Sequence, residues 1–292
     1  MSISGKGLYS TLAPSTAMRS SNPSPVPEGE PAPPKASWVD DPTQNQQRYN
    51  GMREAFVIGI DGGSASGKTS LAERIIDMLP NKRVAIVSQD NFYRGLTPEE
   101  QEHAHDFNFD HPDALDFEAM HQVLTDLRHR KRVELPVYDF ITHTRSNKTV
   151  PMWGLDVIIF EGILVFHDHP DYPLTPLMDL KIFVETDSDT RLARRVFRDT
   201  QHRGRTVDSV LEQYEKFVKP AYDTFIAPLR KKADVIIPWG QYSGNMFSDD
   251  GKWKTTHLPA LDMIVQHINA MLESFKSPDR SFVSYHQAED SK

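Results

Sequence analysis

The chain has 292 residues, 38% of them hydrophobic, which is enough to bury a large core, and no apolar run reaches the roughly 18 residues that span a membrane. Its net charge of −8 argues against nucleic acid or an anionic membrane as the main partner. It has no cysteine, which excludes disulfides, thiolate metal sites and a thiol nucleophile. We therefore expect a cytoplasmic protein with neither membrane nor nucleic-acid partners.

The N-terminal residues 1–51 are rich in Pro, Ser, Asn and Gln, and they lack aliphatic runs. Such a composition cannot offset its ordering entropy, so we predict a disordered tail. This tail is rich in Ser and free of acids up to Glu28, as transit peptides are, but Lys6 and Arg19 are too few basic residues for that role. A second polar tail, 276–292, is expected to fray. Residues 52–275 are then the folded domain.

Short β-branched runs alternate with amphipathic segments from Ala55 onward, which is typical of an α/β fold with a five-stranded parallel sheet and helices on both faces. The predicted strands are Ala55–Ile60, Val84–Ser88, Leu155–Phe160, Leu180–Glu185 and Ala233–Ile237. The predicted helices are about Gly67–Leu79, Ala114–Arg130, Ser188–His202, Val207–Phe225 and Leu261–Phe275.

Directly after the first strand, Gly62-Gly63-Ser64-Ala65-Ser66-Gly67-Lys68-Thr69 matches the P-loop pattern G-x-x-x-x-G-K-[ST] completely. Its glycines let backbone amides turn toward phosphate oxygens, and the following helix presents its positive end to them. We expect Lys68 to reach the β- and γ-phosphates and the Thr69 hydroxyl to bind Mg²⁺. A chance glycine turn that caps a helix would match this pattern only rarely. The loop predicts a P-loop NTPase-type fold that binds a nucleoside triphosphate.

Two carboxylates follow strands that should end beside this loop. Asp90 follows the second strand, where it could accept the proton of an attacking hydroxyl, or could merely form an Asx turn. Glu161 follows the third strand, where it could hold Mg²⁺, or could merely cap a turn. Between them, Val133–Phe140 and the residues around Val150 flank the turn-like Thr142–Lys148. This pattern predicts an inserted antiparallel β-hairpin that overhangs the ligand-binding edge.

An arginine cluster marks the fourth predicted helix and the turn after it. Its members are Arg191, Arg194, Arg195, Arg198, Arg203 and Arg205. Arg191, Arg195 and Arg198 share one helix face, and Gly204 is expected to end the helix. A solvated basic face is the ordinary interpretation of such a run. We favour an Arg-rich helical lid that clamps phosphate, because guanidinium forks suit phosphate oxygens and few acids lie nearby in sequence.

Taken together, these motifs resemble the uridine–cytidine kinase family of P-loop nucleoside kinases. The resemblance covers about Phe56–Pro238 and is carried by Gly62–Ser70, Ser88–Tyr93, Phe107–Asp113, Pro136–Phe140 with His143, Phe160–Leu164 and Arg194–Arg205. It implies that residues 52–275 are a nucleoside kinase domain. It also implies Mg·ATP-dependent phosphorylation of the ribose 5′-hydroxyl of uridine and cytidine in pyrimidine salvage, a homotetramer, and feedback inhibition by pyrimidine triphosphates.

The resemblance also implies roles for single residues. Asp90 is the general base, Thr69 and Glu161 serve Mg²⁺, and Arg198 and Arg203 clamp the triphosphate with Lys68. The implied nucleoside contacts are Asp110, Tyr138, His143, Arg195, Arg205 and Gln213. A carboxylate at position 110 can accept hydrogen bonds from both ribose hydroxyls, and an imidazole can serve either pyrimidine base. Without the resemblance, these would be a turn aspartate, an ordinary strand tyrosine and a solvated histidine. We expect Phe92, Tyr93, Phe107 and Phe109 to be packing residues.

The chain departs from the family pattern after Ile237, where Pro238-Trp239-Gly240 is followed by a polar insertion to about His257. That segment falls near the expected adenine site, so the sequence names no adenine contact. One alternative function is a P-loop kinase of another small hydroxylated metabolite. A second is a GTPase-like switch, but Asn81-Lys82 and Asn147-Lys148 lack the Asp of the guanine-reading motif Asn-Lys-x-Asp.

Overall fold

The structure is a computed structural model that describes residues 54–80, 83–139, 142–239 and 259–276. The predicted tail 1–51, nearly all of the predicted tail 276–292 and the whole insertion after Trp239 lie outside the described residues. None of the helices within the described ranges is long and apolar enough to cross a membrane.

A five-stranded parallel sheet forms the centre of the described domain, as predicted. Its strands lie in the order β2-β5-β1-β6-β7. They are β1 (Phe56–Asp61), β2 (Val84–Ser88), β5 (Val157–Gly162), β6 (Leu180–Glu185) and β7 (Val235–Pro238). Strands β1 and β5 are buried at every residue, which explains their uninterrupted apolar sequences. Because β1 is central, the loop that follows it lies between its neighbours β5 and β6.

Helices cover both faces of the sheet. They are α1 (Lys68–Met78), the short α2 (Pro98–Glu102), α3 (Phe117–Arg128), α4 (Ser188–His202), α5 (Val207–Gln213) and α6 (Pro259–Lys276). Alternate residues of β1 join two separate cores: Val57 packs with the α3 side chains, and Ile58 packs with those of α1 and α6. Full burial of one such side chain stabilises the fold by about 1.5–3 kcal/mol, so both layers hold the sheet.

Several predicted boundaries differ from those in the structure. Strand β5 begins two residues later than predicted, because Asp156 is held by ion pairs with Arg83 and Arg130 just before it. Helix α3 begins at Phe117, three residues after the predicted start, because the Asp116 side chain accepts from Ala119 N (2.9 Å) and caps it. The predicted helix Val207–Phe225 is α-helical at Val207–Gln213 and Lys219–Ala221, and these parts are joined and extended by the π-helical turns Tyr214–Val218 and Tyr222–Ile226.

The predicted hairpin is present as strands β3 (Val133–Asp139) and β4 (Thr144–Met152), which pair in antiparallel register. The expectation that Thr142–Lys148 forms the turn is wrong, because β4 already begins at Thr144. Arg145 explains the earlier start: its guanidinium donates to Tyr93 O (3.1 Å) and to the Asp116 carboxylate (2.9 Å), which holds β4 against the main domain.

Candidate active site

The P-loop lies between β1 and α1 and borders a cavity of about 690 Å³. Gly67 has a φ of 103° at the start of α1, a left-handed conformation that favours glycine. A Cβ at this position would lie 2.2 Å from the Trp239 ring, so the glycine also permits that contact. Lys68 is buried, and its Nζ donates to Gly63 O at 3.0 Å, across the loop that it is expected to serve. Burial lowers the pKa of Lys68, against the opposing charge of Glu161.

The residues of the P-loop divide between the cavity wall and the body of the loop. Those that border the cavity are Ser64, Ala65, Gly67, Lys68, Thr69 and Ser70, whereas Gly62, Gly63 and Ser66 lie in the body of the loop. Asp61, the last residue of β1, was not predicted as a site residue, but its side chain contacts the backbone at the start of this loop. It is fully buried, and its carboxylate accepts from Gly62 N (2.6 Å) and Phe166 N (3.0 Å). Burial raises the pKa of Asp61 to about 8.

Oxygen atoms suited to Mg²⁺ meet beside Lys68. The Glu161 carboxylate accepts from Ser88 Oγ at 2.9 Å and from Thr69 Oγ1 at 3.4 Å. Burial raises the pKa of Glu161, against the charge of Lys68. Asp90 follows in a 3₁₀ turn that Ser88 caps, and it lines the same cavity. Hydroxyl and carboxylate oxygens are the donors that Mg²⁺ takes, so the residues present fit the ion. Ser88, which donates to Glu161, was not among the residues predicted for the metal site.

The other end of the cavity is aromatic. The rings of Phe109 and His143 stack at 4.8 Å with an interplanar angle of 23°, and Phe107 and Tyr93 lie against Phe109 at 4.8 and 6.0 Å. Tyr93 belongs to the core and Phe107 and Phe109 pack against it, as expected, but all three also line the cavity. Phe92 is fully buried in the core, as expected.

Two polar atoms at this end lack partners among the described residues. Asp110 is 7% exposed, and its Oδ2 accepts no hydrogen bond within the described ranges. Burial raises the pKa of Asp110, against the charge of Arg195. His143 Nδ1 is likewise buried without a partner in the part of the chain that the structure describes. Burial lowers the pKa of His143, and its φ of 53° costs a non-glycine residue about 1 kcal/mol or more. Buried polar atoms of this kind need a ligand or water.

Tyr138 lies elsewhere than its predicted role suggests. It does not line the cavity; its ring packs at 5.3 Å against Tyr93, which does. Burial raises the pKa of Tyr138 to about 12, so the hydroxyl is neutral. Its direct contact with a base stays a prediction.

Helix α4 spans the predicted range and turns its arginines inward. Arg194 donates to Ser66 O (3.1 Å) and Arg195 to Ser64 Oγ (2.8 Å), so the helix is tied to the P-loop. Arg191 does not line this cavity; it donates to the backbone oxygen of Thr186 and stacks on the Tyr222 ring. Gly204 follows the helix with a φ of 63°, as its predicted role in ending the helix requires. The ordinary interpretation of a solvated basic face is therefore wrong.

The remaining predicted residues complete the cavity wall. Arg198, Arg203, Arg205 and Gln213 all line it, and Arg205 Nη1 donates to Gln213 Oε1 at 2.7 Å. Trp239 also lines it, beside Gly67. The structure thus brings together the predicted catalytic, metal and nucleoside residues in one cavity, with Tyr138 outside its wall.

Comparison with known proteins gives a consistent result. The model of the Phosphoribulokinase / Uridine kinase family matches residues 57–243. Uridine-cytidine kinase B of Dictyostelium discoideum is 48% identical over 227 residues, which are 77% of this chain and 86% of that protein. The chloroplastic uridine/cytidine kinase UKL1 of Arabidopsis thaliana is 49% identical over 237 residues, 81% of this chain but only 44% of that protein. This chain therefore spans less than half the length of the plant relative.

A solved structure shares the fold. A kinase from Silicibacter sp., described as a candidate fructose transport system kinase, superposes with a TM-score of 0.52 at 21% identity. The match covers 67% of this chain and 96% of that one, and at this identity it shows the fold alone.

Proposed function

This chain belongs to the phosphoribulokinase/uridine kinase family, and we propose that it phosphorylates the ribose 5′-hydroxyl of uridine and cytidine with Mg·ATP. The observation that carries the proposal is a pair of buried atoms, Asp110 Oδ2 and His143 Nδ1, which have no hydrogen-bond partner within the described residues and lie in the same cavity as the P-loop. A nucleoside offers ribose hydroxyls to the first and a polar base edge to the second.

The donor half of the reaction falls to the P-loop and its neighbours. Backbone amides at the start of α1 and the Lys68 ammonium bind the phosphates. The guanidinium groups of Arg198 and Arg203 bind the γ-phosphate while it is transferred. Thr69 and Glu161 would hold Mg²⁺, which, when bound, neutralises charge on the phosphate oxygens.

The acceptor half needs orientation and a proton acceptor. Phe107 and Phe109 present ring surfaces to the base, and Asp110 accepts from the ribose hydroxyls. Asp90 accepts the proton of the 5′-hydroxyl as that oxygen attacks the γ-phosphorus, and the bond from this phosphorus to the bridging oxygen of the β-phosphate breaks, so that ADP leaves. Arg195, Arg205 and Gln213 close the site over the nucleoside. Phosphoryl transfer is then mostly a matter of positioning and charge, which this cavity supplies.

The rival function, phosphorylation of another small hydroxylated metabolite, has less support. Beside its polar residues, the acceptor end carries four aromatic rings, counting His143, and a sugar or hydroxy acid has no planar ring to stack against them. Stacking surfaces of this kind fit a planar base. The proposal also includes a cytoplasmic location and a homotetramer, to be tested by a fluorescent fusion in cells and by analytical ultracentrifugation.

The test is ADP release from Mg·ATP with no acceptor, uridine, cytidine, 2′-deoxyuridine or adenosine. We expect turnover with uridine and cytidine and a loss of about 10²-fold or more with deoxyuridine, because Asp110 would then keep an unpaired oxygen. Asp110→Asn provides the control, since this substitution should reduce the difference in turnover between uridine and deoxyuridine. Turnover without an acceptor, or equal turnover with adenosine, would reject the proposal.

A further inference from the structure

Asp199, in the last turn of α4, is an acid that the proposed mechanism does not use. It is fully buried. Its carboxylate oxygens lie near four guanidinium groups, at 3.8 Å from Arg195 Nε, 2.8 Å from Arg198 Nε, 3.6 Å from Arg203 Nη1 and 3.4 Å from Arg205 Nη1. All four of these arginines line the cavity that holds the P-loop and Asp110.

This place in the helix is unfavourable for an acid. The last turn presents unpaired carbonyl groups, which repel a negative charge, and burial removes its hydration. Burial opposes ionisation of Asp199, but Arg198, Arg195 and Arg203 outweigh that effect and lower its pKa. The carboxylate is therefore charged and held in place by the arginines. In return it separates four cations that would otherwise repel one another and turn outward.

The backbone of the same residue sets the path of the chain beyond α4. The Asp199 carbonyl accepts from Arg203 N (3.2 Å) and from Arg205 N (3.1 Å), on either side of the left-handed Gly204. Side chain and backbone of one residue thus fix both arginines that follow the helix. A shift of Asp199 would move them together.

The arginines around Asp199 reach both ends of the cavity. Arg195 donates to Ser64 Oγ in the P-loop at 2.8 Å and also acts electrostatically on Asp110, at the ribose end. Arg198 likewise acts on both Lys68 and Asp110. Because Asp199 contacts all four arginines, a movement at one end of the cavity is passed to the other through a single carboxylate.

We propose that Asp199 is a positioning residue that aligns the four arginines and couples binding of the phosphate donor to binding of the nucleoside. This inference rests on the proposed kinase function. It predicts that loss of the carboxylate lowers kcat and weakens the coupling between the two substrates. The affinity of the arginine cluster for a free polyphosphate should stay the same or rise, because the cluster gains one net positive charge.

The test compares Asp199→Asn with the wild-type full chain. We expect kcat for uridine to fall about 10–10²-fold, as for misplaced catalytic groups. Calorimetry should show tripolyphosphate bound as tightly as before or more tightly. It should also show that an imido analogue of ATP no longer tightens uridine binding. Asp189→Asn is the matched control, since this acid lies in the first turn of the same helix and outside the cavity.

A second variant keeps the inference falsifiable if Asp199→Asn fails to fold. Asp199→Glu retains the charge but moves it by one methylene, and we expect it to fold, bind tripolyphosphate normally and still lose kcat. Wild-type kcat and coupling in Asp199→Glu would reduce the role to charge balance and overturn the inference, as would unchanged coupling in a folded Asp199→Asn. Absence of uridine turnover in the wild-type chain would instead reject the proposed function.

Discussion

The two ends of the cavity are built in different ways. The phosphate end is one continuous segment, Gly62–Thr69, whose binding groups are largely backbone amides between β1 and α1. The nucleoside end is assembled from side chains that lie far apart in sequence, among them Asp110, His143, Arg205 and Gln213. Backbone chemistry can be encoded in a short motif, whereas a pocket of specific shape needs side chains that only the tertiary structure brings together.

Asp90 lies where the two ends meet, so its loss should have the largest effect. We expect Asp90→Asn to lower kcat about 10²–10⁴-fold, the usual contribution of a general base, while ADP still binds to the P-loop. Steady-state kinetics and ADP calorimetry measure the two parts. Asp113→Asn is the control, because that side chain is 87% exposed and lies outside the cavity. Wild-type turnover in Asp90→Asn would remove this residue from the mechanism.

The next largest effects are expected at the two arginines that are proposed to bind the transferred phosphate. Arg198→Ala and Arg203→Ala should each lower kcat by about 10²-fold, since each removes a charged donor from the moving phosphate. Uridine affinity, measured by calorimetry, should change by less than about threefold. Arg132→Ala is the control, because its guanidinium pairs with Glu134 on the hairpin, away from the cavity. A loss confined to uridine affinity would assign these arginines to the nucleoside end.

The fold was largely predictable because burial leaves a clear pattern in sequence. The continuous apolar runs of β1 and β5 predicted central strands, and the P-loop predicted the turn between β1 and α1. The errors arose where long-range contacts decide the local structure. Arg145 begins β4 early through its bonds to Tyr93 and Asp116, and nothing in the polar stretch around it signals those partners.

The site shows the same division. The P-loop and the strand-end acids Asp90 and Glu161 could be assigned from the residues themselves, because parallel strands bring their carboxyl ends to one edge. The aromatic wall could not, since a phenylalanine in a loop has the same sequence signature whether it packs or lines a cavity. Asp199 lies among the arginines in sequence, but its burial against four of them depends on the turn at Gly204, which the sequence does not position.

The smallest effects are expected at the aromatic wall. Phe109 lines the cavity, whereas Tyr138 lies behind the lining residue Tyr93, so substitutions at the two positions can be compared. Phe109→Leu should raise the uridine KM roughly tenfold, because base–aromatic stacking contributes about 1–3 kcal/mol, and should change kcat much less. Tyr138→Phe keeps the ring that supports Tyr93 and removes only the hydroxyl, so the uridine KM should stay within about twofold. Both values come from the same ADP-release assay. A larger effect for Tyr138→Phe than for Phe109→Leu would mean that the tyrosine hydroxyl reaches the base in the occupied site, and that the nucleoside end rearranges on binding while the P-loop does not.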